Sequence, residues 1–156
     1  MKTQISNLRH IAIVVLDIEK ATRFYCGIGC QLMSADEESG SFISHLLALI
    51  DCKLLTCKLK LPDGSRIELI EFVKPILEIQ TTIQGNDTVF SGIHHLAFTV
   101  SDIDSFVSLT LKLGGFLISS PTSVPKEHSI YAVPALHCYV SDPFGNLIHL
   151  AQDIQI

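Results

Sequence analysis

Four side chains of this 156-residue chain are potential metal ligands, and they fall in pairs at matching places. His10 lies in the apolar stretch LRHIAIVVLD and His95 in GIHHLAFTVSD. The two stretches match position for position, so that His10 falls on His95, Ala12 on Ala97, Val15 on Val100 and Asp17 on Asp102. A second match closes each half: LPDGSRIEL (61–69) aligns with DPFGNLIHL (142–150) and lays Glu68 on His149. The chain is two copies of one unit, and each copy carries an imidazole early and an imidazole or carboxylate late.

The elements that must hold these groups follow from periodicity. Ile5 to Val15 alternates as a first strand, with Leu8, His10, Ala12 and Val14 on one face and Ile11, Ile13 and Val15 on the other. Asp17 is a helix N-cap, and Ile18, Ala21, Phe24 and Tyr25 make the apolar stripe of the helix it opens. A short strand over Gln31 to Ala35, an acidic surface loop and a short helix over Phe42 to Ile50 come next. Two strands, Cys52 to Leu61 and Ser65 to Val73, are joined by a Pro62-Asp63-Gly64 turn. The second strand puts Arg66, Glu68, Ile70 and Phe72 on one face, and Glu71 on the other as a surface or dimer-contact residue. The second copy repeats this order. Asp102 caps a helix with Ile103, Phe106, Leu109 and Leu113 spaced for burial, and a last hairpin turns at Pro143-Phe144-Gly145. The Pro-rich stretch from Ser120 to Pro134 reads as a loop. The repeats span about 5–74 and 92–152, joined by a linker over 75–91, within one domain.

Composition narrows the function classes. At 47% hydrophobic and 17% charged the chain can bury a core and is not disordered. A net charge of −5 without Lys/Arg clusters speaks against a nucleic-acid surface. No apolar run is long enough for a membrane span, and no signal peptide is evident. Five cysteines without a CxxC pair predict thiols in packing roles and a cytoplasmic location.

RHIAIVVLDIEKATRFY, LPDGSRIELIEF, GIHHLAFTVSDID and DPFGNLIHLAQ together resemble the vicinal-oxygen-chelate superfamily, which includes glyoxalase I, methylmalonyl-CoA epimerase, extradiol dioxygenases and fosfomycin and bleomycin resistance proteins. The resemblance implies an α+β fold of two tandem βαβββ units forming an eight-stranded, incompletely closed barrel. It implies one divalent metal held by His10, Glu68, His95 and His149, with His94 outside the ligand set. His149 departs from the pattern, because that position is usually Glu. Three imidazoles and one carboxylate suit Zn, Ni, Fe or Mn rather than Ca or Mg. Such a metal would act as a Lewis acid on a small molecule with adjacent oxygens, and Glu68 would be the catalytic base for proton transfer beside a carbonyl, in lyase, isomerase or epimerase chemistry. His137 and Tyr139 share a face of the penultimate strand and are candidates for the substrate pocket, as is His128 from the Pro-rich loop. Arg23 and Arg66 read as surface charges. Two other functions suit the same fold: an Fe(II) extradiol-type dioxygenase, and a metal-free protein that sequesters a small molecule. A homodimer is expected, and the resemblance leaves open whether the units close a barrel within one chain or across two.

Overall fold

The computed structural model describes residues 4–76, 92–128 and 133–154, so most of the sequence-predicted linker lies outside the described residues. The chain divides into two compact units, Met1–Gln80 and Thr81–Ile156.

Unit 1 runs β1 (Ile11–Val14), α1 (Ile18–Gly27), β2 (Gln31–Ser39), α2 (Ser41–Leu46), β3 (Lys53–Lys60) and β4 (Arg66–Lys74). Its sheet has the order β1-β4-β3-β2, with β1 parallel to β4 and the other pairs antiparallel. Helix α1 packs on β3 and β4 and buries the four residues of its predicted stripe. The sheet meets it with Ile13, Val15, Cys57, Leu59, Ile67 and Leu69, all buried. Alternation then forces Ala12, Thr56, Lys58, Glu68 and Ile70 onto the opposite face.

Unit 2 runs β5 (Leu96–Thr99), α3 (Ile103–Lys112), β6 (Phe116–Leu117), β7 (Thr122–Val124), a one-turn 3-10 helix (Lys126–His128), β8 (Ala135–Ser141) and β9 (Leu147–Asp153). Its sheet has the order β5-β9-β8-β6, with β7 also on β8 and β5 parallel to β9. The core repeats residue by residue: Cys138, Val140, Ile148 and Leu150 are buried where unit 1 has Cys57, Leu59, Ile67 and Leu69. The fold is thus mixed α+β, one βαβββ unit followed by another.

The structure corrects several expected boundaries. The first strand is shorter than predicted, and His10 and His95 each stand one residue ahead of their strands rather than inside them. The acidic stretch after Ala35 is the second half of β2, not a loop. It pairs with β3 throughout, and Lys53 and Lys58 on β3 offset its charge through Glu37 at 2.9 Å and Asp36 at 3.9 Å. Helix α2 buries Ile43, while Phe42 and Leu46, the expected inner face, are exposed. Helix α3 is buried along Ile103, Val107 and Thr110, a stripe rotated from the predicted one. The Pro-rich stretch is not simply a loop, since β7 and the 3-10 helix lie in it. Residues 116–124 fall on β2 of unit 1 in the repeat, and Pro121, which has no N–H to give, splits that strand into β6 and β7. Sheet 2 therefore has five strands where the repeat predicts four.

Glycines turn both closing hairpins at the same place. Gly64 and Gly145 have φ of 90° and 89°, a left-handed conformation that a side chain disfavours. All five cysteines are free thiols, and burial pushes Cys30 up to about 11, which leaves it protonated at neutral pH.

Candidate metal centre

Each unit brings one predicted pair together. In unit 1, β1 lies parallel to β4 with Ala12 opposite Glu68. His10, two residues earlier on the same face, reaches the carboxylate, its Nε2 3.2 Å from Glu68 Oε2. The other carboxylate oxygen faces Lys58, Nζ to Oε1 3.9 Å, and Lys58 is Glu68's partner across β3 and β4. The Glu68 side chain is only 14% exposed, and Lys58 lies as near Asp36 and Glu38 as it does Glu68. Beyond Lys58, the Thr56 hydroxyl donates to Glu38 Oε1 at 3.1 Å. At the far end of the face Ile43, Cys52 and Leu54 form an apolar cluster with Leu49, Ile70 and Phe72 against it.

In unit 2, β5 lies parallel to β9 with Ala97 opposite His149, the register of unit 1 repeated. The His95 and His149 rings meet edge to face, centroids 5.4 Å apart. Two further side chains from β8 complete the cluster. Tyr139, directly opposite His149, stacks on it at 4.9 Å and 20°. His137 Nδ1 lies 3.2 Å from His149 Nε2. His94 joins from the strand entrance, its Nδ1 3.0 Å from His95 Nδ1.

Burial, then the neighbouring His137 and His95, lowers the His149 pKa below the usual imidazole value. His95 is lowered by burial and then by His94. Both effects favour neutral rings, which have a nitrogen lone pair to give a metal. The donor chemistry in each unit thus fits a divalent metal: a carboxylate with an imidazole in one, neutral imidazoles in the other. Among the described residues, no group of three or more His, Cys, Asp or Glu side chains stands placed to hold a metal ion.

His137 and Tyr139 share a face of β8, as alternation predicts, and it is the face that meets His149. His128 is exposed at the end of its 3-10 helix, and its ring makes none of the contacts just described. Residue type alone does not mark Lys58 and Thr56 as neighbours of the site. The signal was present, because in the repeat they fall on Tyr139 and His137. Glu71, expected at the surface, instead accepts the backbone N–H of Ile18 at 2.7 Å.

Residues 7–150 match the family model described as the glyoxalase/bleomycin resistance protein/dioxygenase superfamily. The chain belongs to that superfamily. Among solved structures, a glyoxalase family protein from Bacillus cereus is similar over 99% of this chain and 98% of its own, with 26% identity and a TM-score of 0.85. A glyoxalase/dioxygenase from Nostoc punctiforme shares 20% identity at a TM-score of 0.65, covering 99% of each chain. A fosfomycin resistance protein from Listeria monocytogenes, in complex with Mn(II) and sulfate, shares 18% identity at a TM-score of 0.56, covering 97% of this chain and 95% of its own. A search of curated protein sequences returned no match. Among the described residues of this superfamily member, no helix is long and apolar enough to cross a membrane.

Proposed function

We propose that the chain is a divalent-metal-dependent enzyme that moves a proton beside a carbonyl in a small substrate with adjacent oxygens. Its candidate metal ligands are His10 and Glu68 in the first unit and His95 and His149 in the second. The observation that supports this reading is the repeated register: Glu68 and His149 occupy equivalent positions on the corresponding parallel strand pair of each unit, each with an imidazole at the strand entrance. The Mn(II) complex of the Listeria relative supports a divalent ion in this fold.

When bound, the metal supplies Lewis acidity at a substrate oxygen. Glu68 takes the proton: the C–H bond breaks, the proton passes to a carboxylate oxygen, and the electron pair moves toward the carbonyl oxygen. Glu68 would leave the metal transiently to take the proton, with the Lys58 ammonium 3.9 Å from its Oε1 as the cation beside it.

The test is solvent-deuterium exchange at the carbon beside the carbonyl, using metal-loaded protein with hemithioacetals and 2-methylacyl thioesters. Exchange that falls by at least ~100-fold in Glu68→Gln supports the reading. Oxygen uptake with catechols on Fe(II) protein, without exchange, would replace it with dioxygenase chemistry, for which Glu68 and two imidazoles provide the ligand types. Tight ligand binding by metal-free protein without turnover would replace it with sequestration.

A further inference from the structure

His137 has a chemistry that the repeat does not require. Its counterpart in unit 1 is Thr56, which hydrogen-bonds to Glu38. In unit 2 that place holds an imidazole whose Nδ1 is aimed at His149 Nε2, 3.2 Å away. We propose that His137 and His149 are a two-imidazole chelate, so that His137 is a further metal ligand, and that the pair selects a borderline transition metal such as Zn, Ni or Co over Mn. This rests on the reading above that His149 is a ligand.

The geometry is that of a chelate bite. Two nitrogens each about 2.0–2.1 Å from a zinc ion are about 2.9 Å apart at a right angle and about 3.4 Å apart at the tetrahedral angle. The observed 3.2 Å lies between them. The strands hold the pair there. His137 is opposite Ala151 and Tyr139 is opposite His149, so the two imidazoles are diagonal neighbours on one face of β8 and β9. The small Ala151 leaves His137 room to lean toward His149, and the Tyr139 stack fixes the plane of the His149 ring. Without metal, the same distance serves an N–H···N bond between neutral rings. On chelation the metal takes the place of that proton, which moves to the other nitrogen of its own ring, leaving the charge of the pair unchanged.

The surroundings set the metal class. Among the described residues, His149 meets the rings of His95, His137 and Tyr139. Imidazole nitrogen suits Zn, Ni and Co, whereas Mn favours carboxylate and water oxygen. A pair leaves other coordination positions open to further donors and to water.

The test uses the full chain as wild type, His137→Ala, His137→Gln and His10→Ala, with far-UV circular dichroism to confirm folding. Zn affinity is measured by competition with a chromophoric chelator. Co(II) forms are examined by proton NMR for hyperfine-shifted imidazole N–H resonances, which count histidine ligands. The proposal expects the His137 variants to lose Zn affinity by ~10-fold or more, to lose Mn affinity less, and to lack one shifted N–H resonance. A residue that only orients His149 also costs 10–100-fold in affinity, roughly, but leaves the resonance count unchanged, so that result overturns the proposal. Unchanged Zn affinity also overturns it. Loss in the His137 variants with none in His10→Ala supports the chelate and refutes the four-ligand reading. A wild-type chain that takes up neither Zn nor Co overturns both.

Discussion

Glu71 and Gln152 make the same joint in the two units. Glu71 Oε2 accepts the backbone N–H of Ile18 at 2.7 Å, and Gln152 Oε1 accepts that of Ile103 at 2.7 Å. Each ties the last strand of its unit to the first turn of its helix, where backbone donors have no partner within the helix. Asp17 and Asp102 accept the next donors, from Lys20 at 2.8 Å and Ser105 at 3.1 Å. Glu68 and His149 lie three residues before the two joints, so each joint anchors the strand that carries a candidate ligand. Gln152→Ala is predicted to lower the unfolding free energy by about 1–2 kcal/mol, with Gln152→Glu much less damaging, as read by urea denaturation.

The turn before β9 depends on Asp142. Its carboxylate is fully buried and accepts from the Phe144 N–H at 2.8 Å, the Asn146 N–H at 2.9 Å and Asn146 Nδ2 at 2.8 Å. The counterpart in unit 1 is Leu61, and there the exposed Asp63 orders the turn through Ser65. Asp142→Ala is predicted to cost about 2–3 kcal/mol, because it leaves three donors without their buried acceptor. Asp63→Ala is predicted to cost less in the same denaturation experiment.

How much of this was legible in the sequence depended on the repeat. The residues His10, His95, Glu68 and His149 and the caps Asp17 and Asp102 could be read from matching positions without coordinates. The acidic half of β2 could not, because its strand character comes from pairing with β3 and from Lys53 and Lys58 across the sheet, a tertiary effect that overrides local propensity. The burial of Val107 and Thr110 rather than Phe106 and Leu109 was hidden for a similar reason: α3 has apolar residues on more than one side, and packing on β8 and β9 selects the stripe. The His137–His149 contact needed the hairpin register, which alternation alone does not supply.

Replacing His149 with Glu puts an oxygen donor in place of an imidazole nitrogen. The account predicts that His149→Glu shifts metal preference from Zn or Ni toward Mn. Competitive loading with equimolar Mn and Zn, followed by elemental analysis, measures this. An unchanged ratio would mean that His149 does not set the preference.

Acid is predicted to weaken the metal-free protein through His95 and His149. Their folded-state pKa values lie below the ordinary 6.5, so the unfolded chain binds protons more readily. Their contribution to stability is complete above about 6.5 and is lost as pH falls from there through the folded-state values. His149→Gln removes one such group and should shrink the drop in stability between about pH 7.5 and about pH 5, as read by urea midpoints. An identical pH dependence in wild type and variant would show that His149 is not held neutral by folding.

The proposed function stands on metal binding at the repeated donor positions. Elemental analysis of protein purified without chelator or a His-tag tests it most directly, on wild type, His10→Ala and His149→Ala side by side. The account predicts about one Zn, Ni, Fe or Mn per wild-type chain and markedly lower occupancy in both variants. Full occupancy in either variant, or a wild-type chain that stays empty when offered these metals, would contradict it.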